Sequence, residues 1–223
     1  MKELSLNILD IAQNSIKAEA EHVEITLDQH GDWLTITIED DGKGMSPEFA
    51  AEAANPFTTT RTTRKVGMGL PLFKLAAEQT GGTFSLSSHQ AAYEGDTHGT
   101  TVTATFNTAH VDCEPLGDVA ETILTLIQGN PDLSLTYLYK TQSGEVRLST
   151  DEMREILGDE VPLNSPEVLA WARAFLNGEE QRPRRKERRN QEVKHEQNCF
   201  FYKSPQSPTK PRGNSSQYGI NHQ

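Results

Sequence analysis

Residues 1–107 predict an α/β (α+β) fold, a two-layer sandwich in which a mixed, mostly antiparallel sheet faces three helices. Three observations carry that expectation. KELSLNILDIAQNSIKA (2–18) repeats its apolar residues at helical spacing. VEITLD (23–28) and WLTITIED (33–40) alternate apolar and polar residues on either side of Gly31-Asp32, as a half-buried hairpin does. A glycine-opened helix from Gly67 and Gly69 to Gly81-Gly82 then precedes a further strand, TTVTATF (100–106). Stripes and faces of this kind are buried most simply by laying helices on one side of a sheet.

The first helix is amphipathic in an unusual way. Stepping about 100° per residue brings Asp10, Asn14 and Lys17 within roughly 60° of one another, while Leu4, Ile8, Ile11 and Ala18 take the opposite side. A carboxylate, an amide and an ammonium thus share one polar stripe. Directly after the second strand the chain reads Asp40-Asp41-Gly42-Lys43-Gly44-Met45. Two glycines there let the backbone approach a flat ligand beside an acidic side chain, whose oxygens can accept from an amino group.

The stretch NPFTTTRTTRKVGMGLPLFKLAAEQTGG (55–82) is suited to phosphate. Thr58, Thr59, Thr60, Thr62 and Thr63 offer hydroxyls, and Arg61, Arg64 and Lys65 bring three cations into an otherwise acidic region. Pro71 sits in the first turn of the following helix, where its missing donor costs nothing. The free amides and positive end of that helix favour an anion. Leu72, Leu75 and Ala76 are expected to face inward. As a short polar insertion before a helix start, the threonine and arginine run reads as a mobile lid.

Each signal has a plainer reading: Asp41-Gly42 as a tight turn, Gly67/Gly69 as a helix start, Gly99-Thr100 as a strand entry, Asp10 and Asn14 as a solvated stripe. Their order and spacing favour a single nucleotide site instead. The set resembles the ATP-binding fold shared by gyrase, its heat-shock chaperone relatives, MutL-type ATPases and histidine kinases, the GHKL superfamily. The resemblance covers 1–107 and is closest to histidine kinase catalytic domains and anti-sigma-factor serine kinases. It implies ATP and Mg²⁺ as cofactors. Asn14 would coordinate the metal and Lys17 would contact a phosphate. Asp10 would stand at the catalytic carboxylate, where relatives use Glu or Asn. Asp40 would read the adenine amino group with Gly42, Gly44 and Met45 around the base, and Thr100 would support the adenine side. Phe57, Thr58, Thr59 and Arg61 would belong to the lid, and Gly67, Met68, Gly69 and Leu70 to the second glycine box. Neither a GxxxxGK[ST] loop nor a GxGxxG fingerprint occurs, which argues against the other common nucleotide folds.

Beyond this region AHVDCEPLGD (108–117) reads as a linker to a small α+β unit, 118–178. That unit is expected to hold a helix near 117–128, a hairpin around Gln142-Ser143-Gly144 and two capped helices starting after Ser149 and Ser165. Leu169, Trp171, Ala172, Phe175 and Leu176 of the last helix are expected in its core. Residues 1–180 hold 11 Lys+Arg against 29 Asp+Glu, whereas 181–223 hold 10 against 3. An acidic body disfavours nucleic acid as a partner, and the basic tail, 179–223, reads as disordered. The N-terminal pattern lacks a leader and no run spans a bilayer. Cys113 and Cys199 have no disulfide or metal spacing. The expected location is therefore the cytoplasm.

Because the asparagine box begins at residue 7, phosphoacceptor helices upstream of it are not expected. None of His22, His30, His89, His98 or His110 is expected in such a helix. The functional expectation is an ATP-binding protein that phosphorylates or regulates a separate protein, with self-association into a homodimer open. The alternatives are an ATP-hydrolysing conformational switch and a nucleotide-binding regulator without chemistry.

Overall fold

The computed structural model describes residues 3–53, 69–90, 97–158 and 160–178. Their order is α1 (Leu4–Lys17), β1 (His22–His30), β2 (Trp33–Asp40), α2 (Pro47–Ala53), α3 (Gly69–Gln79), β3 (Phe84–His89), β4 (Gly99–Asn107), α4 (Val119–Gly129), β5 (Ser134–Thr141), β6 (Gly144–Ser149) and α5 (Thr150–Leu157). A last helix, α6, covers 166–178. These elements lie within one unit, Met1–Lys186. Residues 179–223, where the basic tail falls, lie outside the described set.

One six-stranded sheet organises the molecule, in the order β3-β4-β2-β1-β5-β6. Every neighbouring pair is antiparallel except β1 with β5. Alternation explains which face is covered. Val23, Ile25 and Leu27 of β1, Leu34, Ile36 and Ile38 of β2, and Val102, Ala104 and Phe106 of β4 are all buried. Each of these side chains other than Ala104 contributes about 1.5–3 kcal/mol on leaving water. The intervening residues, largely Thr, form the opposite, more open face.

The linker and second unit take a different form from the one expected. The hairpin β5–β6 does not build its own layer: β5 adds to the free edge of β1, from His22 beside Ser134 to Gln29 beside Thr141. Parallel neighbours need a crossover, and α4 supplies it, packing on α1 between β4 and β5. Leu135, Tyr137 and Tyr139 therefore extend the buried face of the first domain. Residues 115 and 116 are part of the same structure. The N–H groups of Leu4 and Ser5, at the uncapped start of α1, donate to the carbonyls of Pro115 (3.0 Å) and Leu116 (2.9 Å). Thr122 Oγ1 of α4 donates to Ser5 O at 3.2 Å.

Two apolar residues face outward against expectation. In α3 the buried positions are Leu70, Phe73, Ala76 and Ala77, while Leu75 is 47% exposed and Leu72 half-buried. Phe73 fixes that rotation by meeting Phe106 with ring centroids 5.3 Å apart. In α6, Ala172 and Leu176 enter the core but Trp171 is 55% exposed, stacked on Phe175. Of the two expected caps only the first forms: Ser149 accepts from the Glu152 N–H, whereas a helix begins after Ser165 but the Ser165 hydroxyl, buried, makes no hydrogen bond among the described residues.

Candidate nucleotide-binding site

Asp40 ends β2, and its carboxylate is held from two directions. Oδ1 accepts from the Gly42 N–H at 3.0 Å and Oδ2 accepts from the Ser15 hydroxyl at 2.5 Å. Ser15 is 3% exposed on α1, one residue beyond Asn14, so the helix that bears the phosphate-side candidates also orients the acidic group. Asp41 is spent elsewhere. Partial burial works against its charge, yet the N–H groups of His22 and Glu21 and the His22 ring, all at 2.8 Å, hold its carboxyl below the usual range. Only the first of the two aspartates is thus left for a ligand.

The loop after Asp40 is pressed between strands, which explains its glycines. Gly44 has φ +65°, and a Cβ there would fall 1.8 Å from His89 O. Gly99 has φ +136°, and a Cβ would fall 2.0 Å from Asp40 O. Asp40 stands beside Thr100 in the β2–β4 register. Ser88 ties the three segments together: its Oγ accepts from the Met45 N–H (2.8 Å), donates to Gly99 O (3.1 Å) and meets Thr100 Oγ1 (2.8 Å). His98 donates from Nδ1 to Gly42 O at 2.7 Å. Met45 is half-buried against the core.

On the other side, Asp10 and Asn14 lie one turn apart on α1, both half-buried, with Lys17 exposed a turn further on. Among the described residues no hydrogen bond is formed by any of these three side chains. Gly69, the first residue of α3, touches Asp10: an added Cβ would lie 1.9 Å from Oδ2. The carboxylate therefore rests at the amino end of α3, where free N–H groups carry positive charge. Leu70 anchors that end in the core. Phe57, Thr58, Thr59, Arg61, Gly67 and Met68 lie outside the described residues.

Ser15, Ser88 and His98 are the site residues that sequence reasoning missed. Ser15 alone left a signal, a hydroxyl one residue off the polar stripe and thus turned toward the sheet. Replacing it by Ala removes the donor to Asp40 Oδ2. The expected result is a loss of about 1 kcal/mol in ATP affinity, roughly fivefold, with Tm little changed. Calorimetric titration of the variant checks this, and an unaltered Kd would remove Ser15 from the account.

The arrangement fits a nucleotide. It presents an oriented carboxylate beside close-approaching backbone for a base, then, along α1, polar groups that have no hydrogen-bond partner among the described residues and could meet phosphates. A Mg²⁺ ion carried by phosphates needs only one or two protein oxygens, and the Asn14 amide can supply one. Among the described residues no cluster of three His, Cys, Asp or Glu side chains could hold a metal independently.

Residues 2–110 match the sequence profile of the family described as histidine kinase-, DNA gyrase B- and HSP90-like ATPase. That stretch, just under half of the chain, carries a domain of the GHKL type. The DctB C4-dicarboxylate transport sensor protein of Pseudomonas aeruginosa is 34% identical over 87 residues, 39% of this chain and 14% of that protein. An NtrY-like sensor histidine kinase candidate of Rickettsia conorii is 28% identical over 92 residues, 41% of this chain and 15% of that one. The chain thus aligns with about one seventh of these relatives' length. Among solved structures, the Aquifex aeolicus MutL ATPase domain complexed with ADP superposes with a TM-score of 0.49 at 15% identity, over 70% of this chain and 69% of that one. The catalytic domain of the histidine kinase ThkA gives 0.34 at 18% identity, over 46% and 64%.

Proposed function

We propose that this protein binds Mg·ATP between α1, the Asp40 loop and the start of α3, and passes the γ-phosphoryl group to a separate protein. The observation that carries the reading is the placement of Asp10. Its carboxylate is one turn from Asn14 and against Gly69 at the amino end of α3. A base there can take the proton of an incoming hydroxyl or imidazole as its atom bonds to phosphorus and the bond to the ADP oxygen breaks. Bound Mg²⁺ neutralises phosphate charge. Asn14 would hold it, and Lys17 would oppose charge on the phosphate oxygens. Among the described histidines, His22 and His30 lie in β1, His89 ends β3, and His98 and His110 lie outside helices, so none offers a helical phosphoacceptor site. On this reading the acceptor is another protein and the working compartment is the cytoplasm. Among the described residues no helix is long and apolar enough to cross a membrane.

A second reading, an ATP-hydrolysing switch, is favoured by one feature. The start of α1 is gripped by Pro115, Leu116 and Thr122, so a shift of this helix on nucleotide binding would reach α4 and the strands beyond it. Incubation with Mg²⁺ and γ-labelled ATP separates the two. Label on a candidate protein supports transfer, and free phosphate supports the switch. Asp10→Asn is expected to lower either rate about a hundredfold or more while ATP affinity stays close to wild type. If both rates survive the substitution, Asp10 is not the base.

A further inference from the structure

β6 is one of the two edge strands of the sheet, β3 being the other, and one side of it has no neighbouring strand among the described residues. The two-residue loop Gln142-Ser143 closes the hairpin with Thr141 beside Gly144. The pair flanking such a loop exchanges hydrogen bonds, and bonding then alternates along the ladder. Val146 and Leu148 consequently direct their backbone groups at Tyr139 and Tyr137. Glu145 and Arg147 direct theirs away from the sheet, and among the described residues no strand or loop receives them. The strand has no proline, no lysine and no bulge in its register with β5, and the charges it carries on its exposed face, Glu145 and Arg147, are of opposite sign. The neighbouring helix α5 also leaves the apolar Ile156 83% exposed.

We propose that β6 pairs antiparallel with β6 of a second copy of this chain, joining two sheets across a two-fold axis at Val146. Charge selects both the occupant and the register. With Val146 opposite its own counterpart, the outward backbone groups of Glu145 meet those of Arg147 in the other copy, and the same pair recurs by symmetry. Both side chains lie exposed on the same face, so each glutamate faces an arginine. The adjacent registers that keep the same hydrogen-bond parity set Arg147 against Arg147 or Glu145 against Glu145. Arg147 also pairs with Glu152 of its own chain; both are about half exposed, which leaves the guanidinium free to be shared. A six-residue edge falls short of the ~1,200 Å² that a lasting interface buries, so the dimer forms reversibly with concentration. This inference is independent of the nucleotide site.

Sedimentation of the full chain over a concentration series tests it. Wild type should pass from monomer to dimer. Glu145→Arg presents two arginines and Arg147→Glu two glutamates, so each variant alone should dimerise about tenfold or more weakly. A one-to-one mixture of the two should recover wild-type association, and so should the double exchange in one chain. Circular dichroism confirms that these exposed substitutions leave the fold intact. A wild type that stays monomeric overturns the proposal and leaves the edge to a strand of another protein. Dimers that persist unchanged in both single variants, or a double exchange that restores nothing, overturn it equally.

Discussion

Replacing Asp40 with alanine is expected to weaken ATP binding by about 2 kcal/mol or more, some thirtyfold in Kd. The carboxylate is oriented by Ser15 at 2.5 Å and by the Gly42 N–H at 3.0 Å. Its remaining lone pairs are available for an amino group at the end of β2, a role that alanine cannot fill. The loss should be specific to the base. On the proposed reading phosphate is held by α1 and the start of α3, so the affinity for inorganic triphosphate should change little. Equilibrium titrations of wild type and variant with ATP and with triphosphate check this. Equal losses for both would mean that Asp40 supports the fold of the site rather than reading the base.

The second large effect concerns Gly99, which sits directly across from the Asp40 loop. Alanine there meets two obstacles: a backbone at φ +136°, and a Cβ that would lie 2.0 Å from Asp40 O and 3.1 Å from Asp41 Cα. Neither obstacle is a flexible side-chain end, so β2 and β4 must move apart. Strain and overpacking together suggest a cost of about 3 kcal/mol, or ~9 °C in Tm for a chain of this size. Because Asp40 and Thr100 are neighbours in that register, nucleotide affinity should fall as well. Thermal unfolding with and without ATP measures both effects. Alanine tolerated without change in either would contradict the close approach described for this corner.

What the sequence disclosed divides along a physical line. α1, the β1–β2 hairpin and the glycine turns are written in periods and turn residues that act over a few positions, and they appear where expected. Asp10, Asn14 and Lys17 share a stripe because helical geometry alone puts them there. The rotation of α3 was less legible, since Leu70, Leu72, Phe73, Leu75, Ala76 and Ala77 leave few polar positions to set a phase. The decision falls to the contact of Phe73 with Phe106. The parallel pairing of β5 with β1 has no local signature, because a strand's alternation is the same whether it adds to an existing sheet or begins a new one. Ser88 and His98 act through segments more than forty residues away, Met45 and Gly42. Nothing near either residue in the chain marks it. The exposed Trp171 was misread because an aromatic at helical spacing resembles a core residue wherever the helix ends up facing.

On the proposed reading α1, the Asp40 loop and the start of α3 form one adenine-nucleotide site. Calorimetric titration of the full chain with Mg·ATP and, separately, Mg·GTP tests it most directly. Saturable binding of ATP with GTP at least tenfold weaker is the predicted result, since guanine presents an oxygen where Asp40 needs a donor. No binding of ATP, or equal binding of the two nucleotides, would contradict it.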